Sequence, residues 1–450
     1  MRDAVLKKKI RKNSIGICGG TWGDEGKAKV LDQIKGTIFY RDNGGGNAGH
    51  TIELNDGKKI VLHHLPSGIA QRKATVVLGK EMVIHPKELI YEIKEAKKFF
   101  DGKIAKVKID ENALLCLDTH RAYEGALKKR ESGSKGSTGR GIGPAYVDEI
   151  NRNALRMKDL LNFDEKKIRE HYRFYKDQIK GLGFNIDSLE IPFLDYKGKF
   201  NTGKENVFVK KLKEQAKILK PFIGDIYDFL KKNWENEKIS FVFEKAQAVG
   251  LDKRWGVYPD ITSSNTCFDG ILSSTYGIID PEKIEFRIGV IKATYASSVG
   301  SRKLPTMMDS KVAEIFREYG NEYGATTHRP RDIVSVDLVA LNFYAKMGKI
   351  NYFAITHMDS VFPKMPIKVC TDYRIGKKKV AYRPFQDFLS KVKPVFTELT
   401  TWDREKVQKA KSFKEMPTEA KSFVRFVERN TGVKVMYLTN GPRRDQVIKI

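Results

Sequence analysis

Short apolar runs punctuate a mostly polar chain: Ile15-Gly16-Ile17-Cys18, Val242-Phe243, Gly289-Val290-Ile291, Tyr352-Phe353-Ala354-Ile355, and Val433 to Leu438. Each is too short for a helix and fits a buried strand. Between them, apolar residues recur at helical spacing. Ala28, Val30, Leu31 and Ile34 follow the first run, Leu338 to Tyr344 precedes the fourth, and Pro417 introduces a helix over Ala420 to Arg429. The alternation predicts an α/β fold: a large, mostly parallel central sheet flanked by helices, with ligands at the carboxyl ends of its strands. Residues 155–238 are polar and helix-prone, with turns near Gly181-Leu182-Gly183 and Lys197-Gly198-Lys199, and read as a mainly helical elaboration. We expect one domain over 14–450, preceded by a basic extension over 1–13.

Composition narrows the class without choosing a function. With 450 residues and 40% hydrophobic content the chain can bury a large core, and no apolar stretch approaches the roughly 20 residues that cross a membrane. A soluble, cytoplasmic protein is the expectation. The lysine-rich start, Lys7 to Lys12, is not followed by the apolar segment of a secretory signal. Cys18, Cys116, Cys267 and Cys370 lie far apart without C-x-x-C spacing, which favours buried free thiols over zinc or disulfides. The net charge of +27 invites a nucleic-acid reading, but the basic residues are spread along the chain and mixed with acids, as around Lys210-Lys211-Leu212-Lys213. A solvated face that attracts anionic nucleotides explains them better than a nucleic-acid partner.

Two glycine-rich loops carry the candidate chemistry. Gly19 to Lys29 reads G-G-T-W-G-D-E-G-K-A-K, and Asn43 to Thr51 reads N-G-G-G-N-A-G-H-T. Glycines let backbone N–H groups converge on a phosphate. The first loop joins a strand to a helix, so it offers an anion the positive end of the helix together with Lys27. It is P-loop-like in physics only, because Ala28 stands where the magnesium-binding hydroxyl would be. Plainer readings exist: the loop is also a turn with solvated charges, Asp24 a helix cap, and His50 a satisfied core imidazole.

These loops resemble the W-G-D-E-G-K-G-K and N-A-G-H-T signatures of the adenylosuccinate synthetase family. Further segments match in the family's order: Leu62 to Ile69, Ser137 to Tyr146, Tyr258-Pro259 with Thr262 to Thr266, Gly324 to Arg331, and Thr439 to Pro442. The resemblance covers nearly the whole chain. It implies a ligase that condenses IMP with L-aspartate at the expense of GTP and with Mg²⁺, through a phosphorylated purine, in AMP biosynthesis. By matched position, Asp24, His50 and Lys27 would be catalytic, with Asp24 the base and His50 acting on the transferring phosphoryl group.

The same resemblance implies an IMP site of Asp24, Lys27, Asn47, His50, Thr138, Gln247, Thr262 and Arg329. Arg152 would reach the neighbouring subunit's IMP, which implies a homodimer, although an exposed salt bridge is the plainer alternative. GTP would meet Gly23, Asp24, Glu25, Gly26, Lys27, Ala28, Lys29, Gly49, His50, Thr51, Arg331, His357, Asp359, Thr439, Asn440 and Gly441. Ala325, Thr326, Thr327 and Arg329 would grip aspartate, and Asp24 with the Gly49 carbonyl would hold the metal. An acid such as Asp359 suits guanine, which presents two donors.

Several positions depart from the pattern. His357 replaces the lysine of T-K-x-D, Thr21 a glutamine, Asp42-Asn43 an aromatic-glutamine pair, and Lys245 and Ala248 the glycines around Gln247. His328 replaces a small or variable residue, and Ser301 to Leu304 replace G-x-G-P-F. The chain is therefore expected to be a divergent member. A related ligase using another purine monophosphate or ATP, and a nucleotide-binding regulator without turnover, remain as alternatives. A regulator would have lost Asp24 or His50, and both are present.

Overall fold

In the computed structural model, residues 10–54, 57–130, 137–194, 199–300, 302–324, 330–363 and 365–450 are described. The strands that build or flank the site are β1 (Arg11–Gly19), β2 (Ile38–Arg41), β3 (His50–Glu53), β4 (Lys59–Leu62), β5 (Thr75–Leu78) and β6 (Lys106–Asp110). They are followed by β7 (Ile223–Gly224), β8 (Phe241–Ala248), β9 (Ile284–Lys292), β10 (Tyr352–Thr356), β11 (Lys434–Thr439) and β12 (Val447–Lys449). Apart from the β3–β4 hairpin, these form one ten-stranded sheet in the order β7-β6-β5-β2-β8-β1-β9-β10-β11-β12. All neighbours run parallel except β12, which returns antiparallel beside β11.

The apolar runs form strands because successive side chains alternate between two covered faces. Ile17, Val242, Val290 and Ala354 enter one core, while Cys18, Phe243, Ile291 and Phe353 enter the other. The flanking helices that bear on the site are α1 (Lys27–Leu31), α2 (Pro86–Phe99), α3 (Asp118–Arg130), α4 (Ile142–Ile150), α5 (Glu165–Gly181), α6 (Glu205–Leu219), α7 (Ser310–Gly320), α8 (Leu338–Met347) and α9 (Thr418–Thr431). Helix α1 is shorter than its apolar spacing predicts. After Leu31 the chain tightens into Gln33 N–H to Val30 and Ile34 N–H to Leu31 bonds.

One boundary needs correction. The first strand starts at Arg11 rather than after residue 13, and Arg11 is 5% exposed. Its guanidinium lies over the Trp234 ring and donates to the carbonyls of Trp234 (3.1 Å) and Asn236 (2.9 Å). The segment 155–238 supplies α5, α6 and a helix over Tyr227–Glu235, but also the edge strand β7. All four cysteines are free and buried. Among the described residues, no helix is long and apolar enough to cross a membrane.

Candidate active site

The phosphate loop hangs between the end of β1 and α1. Gly23 (φ 101°), Asp24 (φ 58°) and Gly26 (φ 80°) all adopt the left-handed region, which glycine enters freely and aspartate only at a cost. Glu25, expected at the nucleotide, turns into its own loop. Its Oε1 accepts from the Thr21 and Gly23 N–H groups at 3.2 and 2.8 Å, and its Oε2 pairs with Lys27 at 3.1 Å. This buried carboxylate thus sets the shape of the loop. Gly26 caps α1 without a side chain, so the first N–H groups of the helix remain available to an anion.

Asp24 is the exposed member, with 45% of its side chain open, and its Oδ2 lies 3.0 Å from Arg331 Nε in an ion pair. Desolvation by the cleft walls would raise this carboxyl, but Lys292, Arg331 and Lys27 outweigh it and hold it below the ordinary range. Asp24 is therefore ionised at neutral pH. Behind Arg331 stands Glu322, which takes Lys292 Nζ and the Tyr295 hydroxyl. Lys292, Glu322 and Tyr295 carry no motif that the sequence analysis caught.

His50 opens β3 and is 5% exposed. Its Nδ1 bonds Glu244 Oε1, while Glu244 Oε2 accepts the Ser67 N–H at 2.8 Å. Burial lowers the imidazole despite Glu244, and Glu244 is itself lowered because His50, Arg41 and the Ser67 N–H outweigh its burial. A carboxylate thus orients a neutral imidazole through Nδ1. Helix α1 packs against β3, which brings the two loops together, and Lys27 acts on both the Asp24 carboxylate and the His50 ring. Sequence reasoning missed Glu244, whose partner His50 lies 194 residues away in the chain.

Beside them, Gln247 (φ 61°) has a fixed amide orientation. The Ala246 N–H donates to Asn43 Oδ1 at 2.9 Å, so Asn43 must turn its amino group toward Gln247 Oε1. Ser264 Oγ donates to the same oxygen at 3.2 Å. Among the described residues Gln247 Nε2 is left as a buried donor without a partner, suited to a carbonyl on a ligand. Thr262 is tied by its N–H to Leu251 at 2.8 Å, and Asn47 Oδ1 accepts from Gly45 at 3.2 Å. Thr138 is half-buried and precedes Arg140, which is buried on Glu88 at 2.6 Å.

The nucleotide side is closed by β10 and β11. His357 (φ 58°) donates its N–H to Thr439 Oγ1 at 3.1 Å, and burial and Lys292 hold its ring down to about 3. Lys29, lowered to about 8 by burial, donates to the Gly441 carbonyl. Asp359 Oδ2 accepts from Tyr319 and Gln408, both at 3.2 Å. Asn440 spends its amino group on Val407 (2.7 Å) and Ala410 (2.9 Å), which leaves Oδ1 unpartnered among the described residues. Gly49 and Thr51 are exposed on the second loop, and Ala28 lies in α1. Ala325, Thr326, Thr327 and Arg329 lie outside the described residues.

Arg152, left-handed at φ 64°, is exposed just past α4. The neighbouring Glu149 pairs with Arg156 at 2.9 Å instead. One other group of metal-ligand types occurs among the described residues, His120, Asp148 and His171. The Leu117 N–H donates to His120 Nδ1 at 2.9 Å, so His120 Nε2 carries the proton that meets Asp148. This is a hydrogen-bonded core network rather than a cation site.

Fold and site together define a parallel α/β enzyme with its chemistry at the carboxyl ends of the central strands. Residues 16–448 match the family model for adenylosuccinate synthetase. The chain is 35% identical to the adenylosuccinate synthetase of Clostridium novyi and 33% identical to that of Clostridium kluyveri, in each case over 96% of this chain and 98% of the relative. The fully ligated adenylosuccinate synthetase of Plasmodium falciparum superposes with a TM-score of 0.84 at 28% identity, covering 97% of this chain and all of that one. A cyanophage succinoaminodeoxyadenylate synthetase bound to dGMP and dATP shares the fold, with a TM-score of 0.58 at 16% identity, covering 97% of this chain and 95% of that one. The protein belongs to the adenylosuccinate synthetase family, and it is a ligase of purine biosynthesis.

Proposed function

We propose that the protein joins IMP to L-aspartate with GTP as phosphoryl donor, through 6-phosphoryl-IMP, on the route to AMP. The observation that carries this reading is the convergence of an ionised Asp24 and a Glu244-held His50 around Lys27. Asp24 takes the proton from purine N1, and O6 attacks the γ-phosphorus while GDP leaves. The aspartate amine then adds at C6, and phosphate departs with O6. Gln247 Nε2 donates to O6 as charge builds there. His50 Nε2 takes up a proton in the field of the phosphate and donates it to the transferring group, with Glu244 stabilising the imidazolium.

Arg331 exchanges Asp24 for the nucleotide's phosphates in this reading. Asp24 and the exposed Gly49 carbonyl are hard oxygen donors that fit Mg²⁺, and the half-open, ionised Asp24 is available once Arg331 turns away. When bound, the ion spreads the charge of the phosphoryl group. Asp359 reads guanine, and the loop from Ala325 to Arg329 grips the aspartate carboxylates. Two subunits complete the site: Arg152 stands beside Val147 and Ile150, 55% and 81% exposed on α4, a face that suits a second copy. Four free thiols are in keeping with a cytoplasmic setting.

Phosphate release from purified protein should require IMP, GTP and aspartate together. Heavy oxygen placed at the 6-position of IMP should appear in the released phosphate. No release with any purine monophosphate would end the ligase reading, and retention of the label in the purine would end the phosphorylated intermediate. A second reading, use of ATP as donor, is favoured by His357, a neutral ring where the family carries a lysine. Comparing ATP with GTP in the same assay decides it.

A further inference from the structure

Two separate departures from the family pattern meet in the structure. Asp42 stands where the family has an aromatic residue, and Lys245 where it has a glycine. Lys245 Nζ donates to Asp42 Oδ2 in an ion pair, and both side chains are fully buried. The contact at this place is an ionic one between a short acid and a long lysine stem.

The place of this pair gives it leverage. The ladder between β2 and β8 runs from Ile38↔Phe241 to Tyr40↔Phe243 and stops. On the other side of β8 the register with β1 jumps from Ile17↔Glu244 to Gly19↔Ala248. Lys245, Ala246 and Gln247 are thus held by neither ladder. They are fixed by side chains of the β2 end, Lys245 by Asp42 and the Ala246 N–H by Asn43 Oδ1. Immediately before them is Glu244, which orients His50, and the last of them is Gln247 with its free donor.

We propose that Asp42 and Lys245 form a positioning pair that sets the aim of Gln247, and through Glu244 that of His50, on the purine monophosphate. The inference rests on the reading of the site given under Proposed function. A charge-assisted hydrogen bond is directional, so it fixes the bulged strand end at one spacing. The two replacements are then interdependent: each is harmful alone and tolerated together. A role in stability alone would shift the melting temperature and leave affinity for the purine unchanged.

The experiment uses the full chain and the variants Asp42→Asn, Lys245→Met, Lys245→Arg and Asp42→Tyr/Lys245→Gly. For each, calorimetry gives the Kd of IMP and of GTP, and thermal unfolding gives Tm. Folded single variants should bind IMP about tenfold more weakly, with GTP binding changed less than about threefold and Lys245→Arg the mildest, while the double variant returns to within about threefold of the parent. Folded single variants with unchanged IMP affinity overturn the inference, as does a double variant that binds no better than the singles. Should the singles fail to fold, the double variant decides alone: folding with IMP affinity near the parent's upholds interdependence, and anything less overturns it. A parent that binds no purine monophosphate overturns both readings, whereas a binding parent with indifferent variants overturns only this one.

Discussion

Glu244 does its work through another side chain, which makes it the sharpest single-residue test of the site. Glu244→Gln keeps the shape but removes the charge that orients His50 and would stabilise its protonated form. Turnover is expected to fall by about 10²–10⁴-fold with IMP affinity largely kept, measured by steady-state kinetics on protein whose circular dichroism is unchanged. Lys29 supplies a pH test. Held down to about 8, it loses its charge above that pH, so the KM for the nucleotide should rise between about pH 7 and 9, and Lys29→Arg should flatten that rise. Asp24 and His50 were legible in the sequence because glycines spell out the loops that present them. Glu244 and Glu322 were not, because a buried acid announces itself only by its partner, and the partner comes from a distant segment.

At the scale of elements, the ends of strands decide more than their middles. The apolar runs marked β1, β8, β9, β10 and β11 correctly, since a short apolar stretch is a local property, while β2 and β5 went unnamed. Strand β7 was illegible because two residues in a polar stretch become a strand only by pairing with β6. Arg11 escaped for a related reason: among lysines it reads as solvated, and only the Trp234 ring and nearby carbonyls make its burial tolerable. The loop after β2 offers a test of packing. A Cβ on Gly45 would sit 2.2 Å from the Val83 carbonyl oxygen and 3.0 Å from Ile142 Cδ1. Gly45→Ala is expected to cost about 1–3 kcal/mol in urea unfolding and to weaken IMP binding, because the same loop carries Asn43 and Asn47.

At the scale of the whole molecule, buried imidazoles set the acid limit of stability. His50, His63, His85, His171 and His357 are all lowered, chiefly by burial, His357 to about 3. Between about pH 6.5 and 3 the unfolded chain takes up protons that the folded chain refuses, so stability should fall as pH drops through that window. His357→Gln is expected to shallow this loss in urea titrations run at successive pH values. Assembly can be tested on α4. Ile150→Asp places a charge on the exposed apolar face, and sedimentation should then show a monomer with a raised KM for IMP if Arg152 serves the opposite subunit.

Strand β1 is made before its sheet neighbours but lies in the middle of the sheet, between β8, which begins at Phe241, and β9, which begins at Ile284. A nascent chain must therefore carry Ile15 to Gly19 without either neighbour while more than half of the polypeptide is synthesised. The early segment can still pair β2, β5 and β6 among themselves. The first glycine-rich loop and α1, by contrast, wait for a segment beyond β11, since Lys29 and Asp32 are clasped by Gly441 and Arg444. Synthesis that aborts before Lys434 leaves an open strand edge and no clasp on Lys29 and Asp32, a product suited to chaperones and proteases.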